Sequence, residues 1–200
     1  MTAGGRATGR PARCSQSVTE DLPLRLSQDL ERAFPDVVGA YQRAVFTTAL
    51  RTSGRRDDAA DMAAEAFLRA YAALRTYPPE RIGELQLRPW LLTIVLNVVR
   101  NEARSASRRP VHVGLEPWAH PADGAESPEE QAQRHDGQAR LGGLLTELPD
   151  NQRTAVVLRH VVGLPYAEMA SVMGCPEGTA KSHVARGLAR LRTLIPEEAK

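Results

Sequence analysis

Aromatic residues are scarce in this chain of 200 residues, at 4% of positions, and long β-branched runs are few. An all-β architecture draws its cross-strand packing from such side chains, so their scarcity argues against one. Cysteine is nearly absent. Cys14 and Cys175 stand far apart in unlike contexts, which gives no disulfide framework and fits a reducing cytoplasm. Apolar runs stay short as well, Trp90 to Val99 falling far below membrane-spanning length. Arg6, Arg10 and Arg13 have no apolar stretch behind them, so no secretory signal is expected. Neither the cysteines nor the five histidines show the close spacing of a zinc site. No metal or other cofactor is expected.

What is present is helix-forming sequence, dominated by alanine, leucine and arginine. The net charge of +2 is small, but its distribution is uneven. Arg88, Arg100, Arg104, Arg108 and Arg109 gather in the middle of the chain, opposed there by Glu102 alone. Glu116, Asp123, Glu126, Glu129 and Glu130 then follow without an intervening lysine or arginine. From Pro176 to Ile195 the sign reverses again, with Lys181, Arg186, Arg190 and Arg192 against Glu177. Two basic segments separated by an acidic spacer point to two contact surfaces for a polyanion.

The periodicity divides the chain into an all-α pair of small domains joined by a flexible linker. Residues 1–25 read as a disordered extension, poor in periodic apolar content. A first domain follows over 26–109. Its opening helical pattern runs from near Ser27 through Val37, Val38, Tyr41, Val45, Phe46 and Leu50, with an interruption expected at Pro35. Asp57 or Asp58 is expected to cap the next helix, in which Met62, Ala66, Phe67, Ala70, Tyr71 and Leu74 recur at helical spacing. Tyr77-Pro78-Pro79 stops it, and Pro89 fits the first turn of another. There Trp90, Leu91, Ile94, Val95 and Val98 form an apolar stripe, and Asn97, Asn101, Arg104 and Arg108 a polar one. The proline-rich, acidic stretch 110–130 reads as the linker. The second domain, 131–200, carries helical signal to Leu148, a helix capped by Asp150 or Asn151 and closed by Gly163, and two further helices.

Those last two have helix-turn-helix spacing. Met169, Ala170 and Met173 should pack a short helix on a longer one; Gly174 permits the tight turn and Pro176 suits a helix start. On the long helix, Ala180, Val184, Gly187, Leu191 and Ile195 should face inward. The opposite face holds Gly178, Ser182, Ala185, Arg186 and Ala189, flanked by Lys181, Arg190 and Arg192. Small side chains let a backbone approach a major groove, while cations reach phosphates or the acceptor edge of guanine.

At this point the residues resemble a known family. Leu145 to Arg153, Val156 to Leu158, Gly163 to Ala170 and Gly178 to Ser182 are similar to the promoter-binding domain of extracytoplasmic-function sigma factors. Asp58 to Tyr71 resembles the helix by which that family grips core RNA polymerase, and Trp90 to Arg104 the helix that engages the promoter hexamer nearest the start site. The resemblance implies an alternative sigma factor that binds core polymerase and directs promoter recognition. It places Asp58, Asp61, Met62, Glu65, Phe67 and Leu68 at the polymerase. Promoter DNA would meet Arg88, Trp90, Asn97, Arg100, Asn101 and Arg104 in the first domain. In the second it would meet Tyr166, Glu177, Gly178, Thr179, Lys181, Ser182, His183, Ala185, Arg186 and Arg190. An anti-sigma factor is a further implied partner, and no catalytic residue is implied. The sequence departs from the family pattern at Ala180, His183 and Gly187, and the loop Tyr77 to Arg88 lacks an aromatic cluster for base stacking.

Two rival readings fit parts of the sequence. Asp57-Asp58-Ala-Ala-Asp61 spells the aspartate-rich motif of magnesium-dependent prenyl diphosphate enzymes. Those need a larger bundle and a second acidic site, and acids at a helix start are favoured by the exposed amides alone. A stand-alone helix-turn-helix regulator would need a sensor or dimerisation domain in the first half, which the basic, Asn-bearing helix does not resemble.

Overall fold

The computed structural model of the protein describes residues 21–106, 137 and 140–195, all of whose regular elements are helical. The expected linker and the first twenty residues of the extension lie outside that range, as do the helical signals of 129–136.

Helix α1, Leu22–Gln28, begins inside the segment expected to be an extension. Seven residues cannot hold a helix in water. Here Pro23 presets the first turn, and Leu22 and Leu26 are fully buried, each contributing about 2 kcal/mol by leaving water. Arg25 pairs with Asp36 on the next helix. That helix, α2, Leu30–Ser53, starts at Asp29, whose carboxylate accepts the Arg32 amide at 3.0 Å, and ends at Gly54 in the left-handed region at φ 70°. Pro35 does not interrupt it. So near the start, proline forfeits a single backbone bond, and burial of Ala33 and Val37 on either side holds the helix together.

Helix α3, Arg56–Leu74, is preceded by Arg55 rather than capped by an aspartate. Asp57 and Asp58 lie in its first turn, where their charge favours the exposed amides, and Asp58 pairs with Arg55. Its inner face, Ala59, Met62, Ala63, Ala66, Phe67, Ala70 and Leu74, is buried. Phe34 meets Phe67 and Tyr71 edge-on at 6.5 and 5.0 Å. The short α4, Pro79–Gly83, packs on α1. Helix α5, Leu87–Ala106, lies between α2 and α3 and buries Leu91, Leu92, Val95, Leu96, Val98 and Val99, a broader face than the expected stripe. Trp90 and Ile94 are only half-buried.

The second domain begins with α6, residues 140–146. Helix α7, Asp150–Val156, has Pro149 ahead of it and Asp150 as its first residue, so neither expected cap serves. It continues into a π-turn, Val157–Val161, in which the Val162 amide reaches back to the Val157 carbonyl at 2.9 Å. Gly163, at φ 80°, redirects the chain into α8, Tyr166–Met173. Met169 and Val172 form the buried face of α8, while Ala170 and Met173 are half-buried. Gly174, at φ 63°, makes the turn to α9, Glu177–Leu194. Ala180, Val184, Gly187 and Leu191 point inward as the pattern required, whereas Ile195, expected with them, follows the last helical residue and is half-buried. Gly187 has a reason its helix propensity hides: a Cβ there would lie 2.7 Å from Val156 Cγ2 and 3.3 Å from the Gln152 carbonyl of α7.

The domains are not apart. One buried cluster runs from Leu22 and Val37 through Leu91 and Val95 to Leu158, Met169 and Val184. Helix α8 packs on α5, and the π-turn and α7 pack on α2.

Candidate nucleic-acid interface

Three surfaces carry the residues singled out from the sequence. On α9, Glu177, Gly178, Lys181, Ser182, Ala185, Arg186 and Arg190 are exposed, while Thr179 and His183 are half-buried. The buried face of the helix fixes this: with Ala180, Val184, Gly187 and Leu191 inward, the small and basic residues must point out. Their side chains are partly organised already. Lys181 pairs with Glu177 at 2.7 Å, and the Ser182 hydroxyl donates to the Gly178 carbonyl at 2.9 Å. Half-buried Tyr166 stands between two cations, with the Arg159 guanidinium 4.8 Å and the Lys181 ammonium 5.5 Å from its ring centre. His183 Nδ1 is buried and has no hydrogen-bond partner among the described residues.

On α5, Asn97, Arg100, Asn101 and Arg104 are exposed along one side, backed by the buried aliphatic face. Arg100 and Asn97 approach at 3.5 Å. The other two residues expected to meet DNA here sit differently. Trp90 is half-buried, its ring 6.2 Å from that of Tyr77. Half-buried Arg88 donates to the Val162 carbonyl of the second domain. Beside it an open cleft of about 670 Å³ separates Leu85–Pro89 from Pro165–Ser171 of the second domain. Tyr41 lines this cleft; burial pushes its hydroxyl above the usual tyrosine range, against the opposing charge of Arg88.

The third surface is the outer face of α3. Asp58, Asp61, Glu65 and Leu68 form one stripe along it, and Leu68 is 66% exposed, an apolar side chain offered to water. Glu65 pairs with Arg69 at 2.7 Å. Met62 and Phe67, expected on this surface, face the core instead at 3% and 6% exposure. Helical spacing had put both on the apolar stripe, and the stripe is where they lie. Among the described residues no group of three or more His, Cys, Asp or Glu could hold a metal ion, and no helix is long and apolar enough to cross a membrane.

Sequence reasoning gave no role to Arg153, which the structure makes prominent. Its guanidinium is 14% exposed and donates to four backbone carbonyls: Leu145, Thr146 and Leu148 at the end of α6, and Thr52 at the end of α2. Carbonyl partners leave no trace in side-chain patterns, so no sequence signal pointed to it.

Comparison with known proteins bears on the same regions. The family described as Sigma-70 region 2 matches residues 37–109, and that described as Sigma-70, region 4 matches residues 138–191. The RNA polymerase sigma-H factor of Pseudomonas aeruginosa is 31% identical over 179 residues, covering 86% of this chain and 91% of its own. The ECF RNA polymerase sigma factor SigC of Mycobacterium tuberculosis is 33% identical, covering 82% and 84%. Among solved structures, CnrH in complex with the cytosolic domain of CnrY superposes with a TM-score of 0.64 at 25% identity, over 88% of this chain and 96% of that one. The sigma factor RpoE of Bartonella quintana, solved with the anti-sigma factor NepR, shares the fold with a TM-score of 0.57 at 24% identity, over 84% and 96%. The chain belongs to the sigma-70 family, among the extracytoplasmic-function sigma factors that direct core RNA polymerase to promoters.

Proposed function

We propose that the two domains divide the promoter between them, α5 taking the element near the start site and α9 the upstream one. The observation that carries this reading is the exposed face of α9, small residues rimmed by Lys181, Arg186 and Arg190. Such a face fits a major groove, where Arg186 can pair with a guanine edge. Asn97, Arg100, Asn101 and Arg104 follow the backbone and exposed bases of the second element. The acidic stripe Asp58, Asp61 and Glu65, with Leu68 beside it, docks on a basic, partly apolar surface of the polymerase; acids set the approach and Leu68 the buried contact. Met62 and Phe67 support that face from within.

No reaction is assigned to this chain: nucleotide addition belongs to the polymerase, and the place of work is the cytoplasm, where polymerase and DNA are. The sigma factor of Bartonella quintana was solved with an anti-sigma factor, and an anti-sigma partner is proposed here also. Affinity capture from cells tests that point; recovery of polymerase without any further partner would count against it. For the main reading, run-off transcription with purified core polymerase on genomic DNA should give start sites that depend on the protein. Charge reversal at Asp61 and Glu65 should abolish that dependence by weakening core binding. A chain that bound its DNA tightly without polymerase would instead be a stand-alone regulator.

A further inference from the structure

Helix α1 precedes the residues matched as region 2, which begin at 37, and its packing points to a use. Its main neighbours are α2 and the still shorter α4, Pro79–Gly83. Helix α4 sits in the segment that joins α3 to α5, and Ile82 is its buried residue, at 5% exposure. Helix α1 underlies that segment from one end to the other. Leu26 and Ser27 border a cleft of about 440 Å³ together with Tyr77 and Ile82. A Cβ on Gly83 would lie 4.0 Å from Ser27 Oγ, an ordinary contact distance. At the other end of α1, Pro23 lines the cleft beside Leu85–Pro89. The fully buried Leu22 and Leu26 hold the helix there.

The same segment carries a stack of three side chains. The Arg81 guanidinium lies 3.7 Å from the centre of the Tyr77 ring, and that ring is 6.2 Å from the ring of Trp90. Arg81 is exposed, while Tyr77 and Trp90 are half-buried. Arg81 and Ile82 are consecutive on α4, so whatever fixes Ile82 also fixes the place of the guanidinium over its ring. A five-residue helix has too few bonds of its own to do so. We infer that α1 is a positioning element for the promoter contact of the first domain. Leu22 and Leu26 act through Ile82 on the Arg81–Tyr77–Trp90 stack, which meets the element near the start site. The inference rests on the reading of α5 as a DNA-contacting helix with Trp90 part of that contact. It gives α1 no contact of its own with DNA or polymerase. Functional side chains work within displacements of about 0.5 Å, so a loosened support costs discrimination first.

Competition between two promoter templates in one reaction tests this. One carries a mapped start site, the other the same sequence with the near element substituted. Both compete for full-length protein on saturating core polymerase, and the ratio of run-off products measures discrimination. Unfolded protein cancels from that ratio. Leu26→Ala should lower it roughly fivefold or more, while templates substituted in the upstream element keep their own ratio. Leu26→Met conserves volume and should restore discrimination. Leu24→Ala, at a position of α1 that is 56% exposed, should behave as wild type. Trp90→Ala should lower the ratio too, and adding Leu26→Ala to it should lower it no further, because both act through one stack. Should Leu26→Ala fail to fold, Ile82→Val trims the same contact from α4 and should lower the ratio about twofold. The inference is overturned if Trp90→Ala lowers the ratio and the α1 variant does not, or if the two effects add in full, as a general loss of structure would. It is overturned equally if Leu24→Ala reproduces the effect, since α1 would then touch DNA or polymerase directly. An unchanged ratio for Trp90→Ala would instead remove the DNA role of Trp90, and the route through the stack with it.

Discussion

Helices α5 and α9 are both amphipathic, both basic on the outside, and built for different contacts. Helix α5 presents long polar side chains, Asn97, Arg100, Asn101 and Arg104, above a thick aliphatic base of Leu91, Leu92, Val95, Leu96, Val98 and Val99. Helix α9 presents Gly178, Ser182, Ala185 and Ala189 between its cations, above the slender Ala180, Val184 and Gly187. A helix that keeps its backbone away from DNA can be anchored deep in a core. One that enters a groove must be slim outside, and here it is slim inside too, because α7 lies close beneath it. The strength of the two supports therefore differs as much as their surfaces do.

The largest effect should come from the base of α5. Leu96→Ala, at a position 2% exposed, should cost about 2–5 kcal/mol by loss of contacts and the cavity left behind, measured by denaturant unfolding. On α9 the sensitive change goes the other way. Gly187→Ala gains about 1 kcal/mol of helix propensity, yet its Cβ meets Val156 and the Gln152 carbonyl, so a net loss of about 1–2 kcal/mol is expected from overpacking. A stabilised protein would show that α7 and α9 can part at little cost.

The outer faces should separate in specificity rather than strength. Arg186→Ala should cost about 1–3 kcal/mol against the preferred upstream element and relax preference at one base pair. Arg104→Ala should weaken binding evenly across sequences and lower the salt slope by about 1. Titrations with polymerase-bound protein on substituted promoters at two salt concentrations distinguish these. If Arg104→Ala altered sequence preference, α5 would be reading bases as α9 does, and the contrast would collapse. Glu177→Gln should matter least. Its pair with Lys181 is exposed and such pairs are worth at most about 1 kcal/mol. Removing an acid beside phosphate should raise affinity less than fivefold.

Much of this was legible in the sequence because helices report their buried face at fixed spacing. The inward set Ala180, Val184, Gly187 and Leu191 and the outward cations follow from that spacing alone, as does the burial of Ala66 and Leu74 on α3. Spacing also held the answer for Met62 and Phe67, which a likeness to polymerase-binding helices had drawn to the surface. Helix α1 was missed because seven residues with one proline carry no period; tertiary burial of Leu22 and Leu26 makes it a helix. The reason for Gly187 depends on how near α7 lies, and the partners of Arg88 and Arg153 are carbonyls, which every residue has.

The π-turn Val157–Val161 sets a phase between the halves of the protein. It accommodates one residue more than an α-helix would over the same span, and each residue of an α-helix advances the chain by about 100° and about 1.5 Å. Deleting Val161 would let ordinary helical bonding resume and would swing Gly163, α8 and α9 together by about that angle, carrying the Val162 carbonyl off Arg88. Alignment of the groove-facing helix with the first domain is thus kept like a gear by a single tooth, and a one-codon loss outside both α5 and α9 would put it out of mesh.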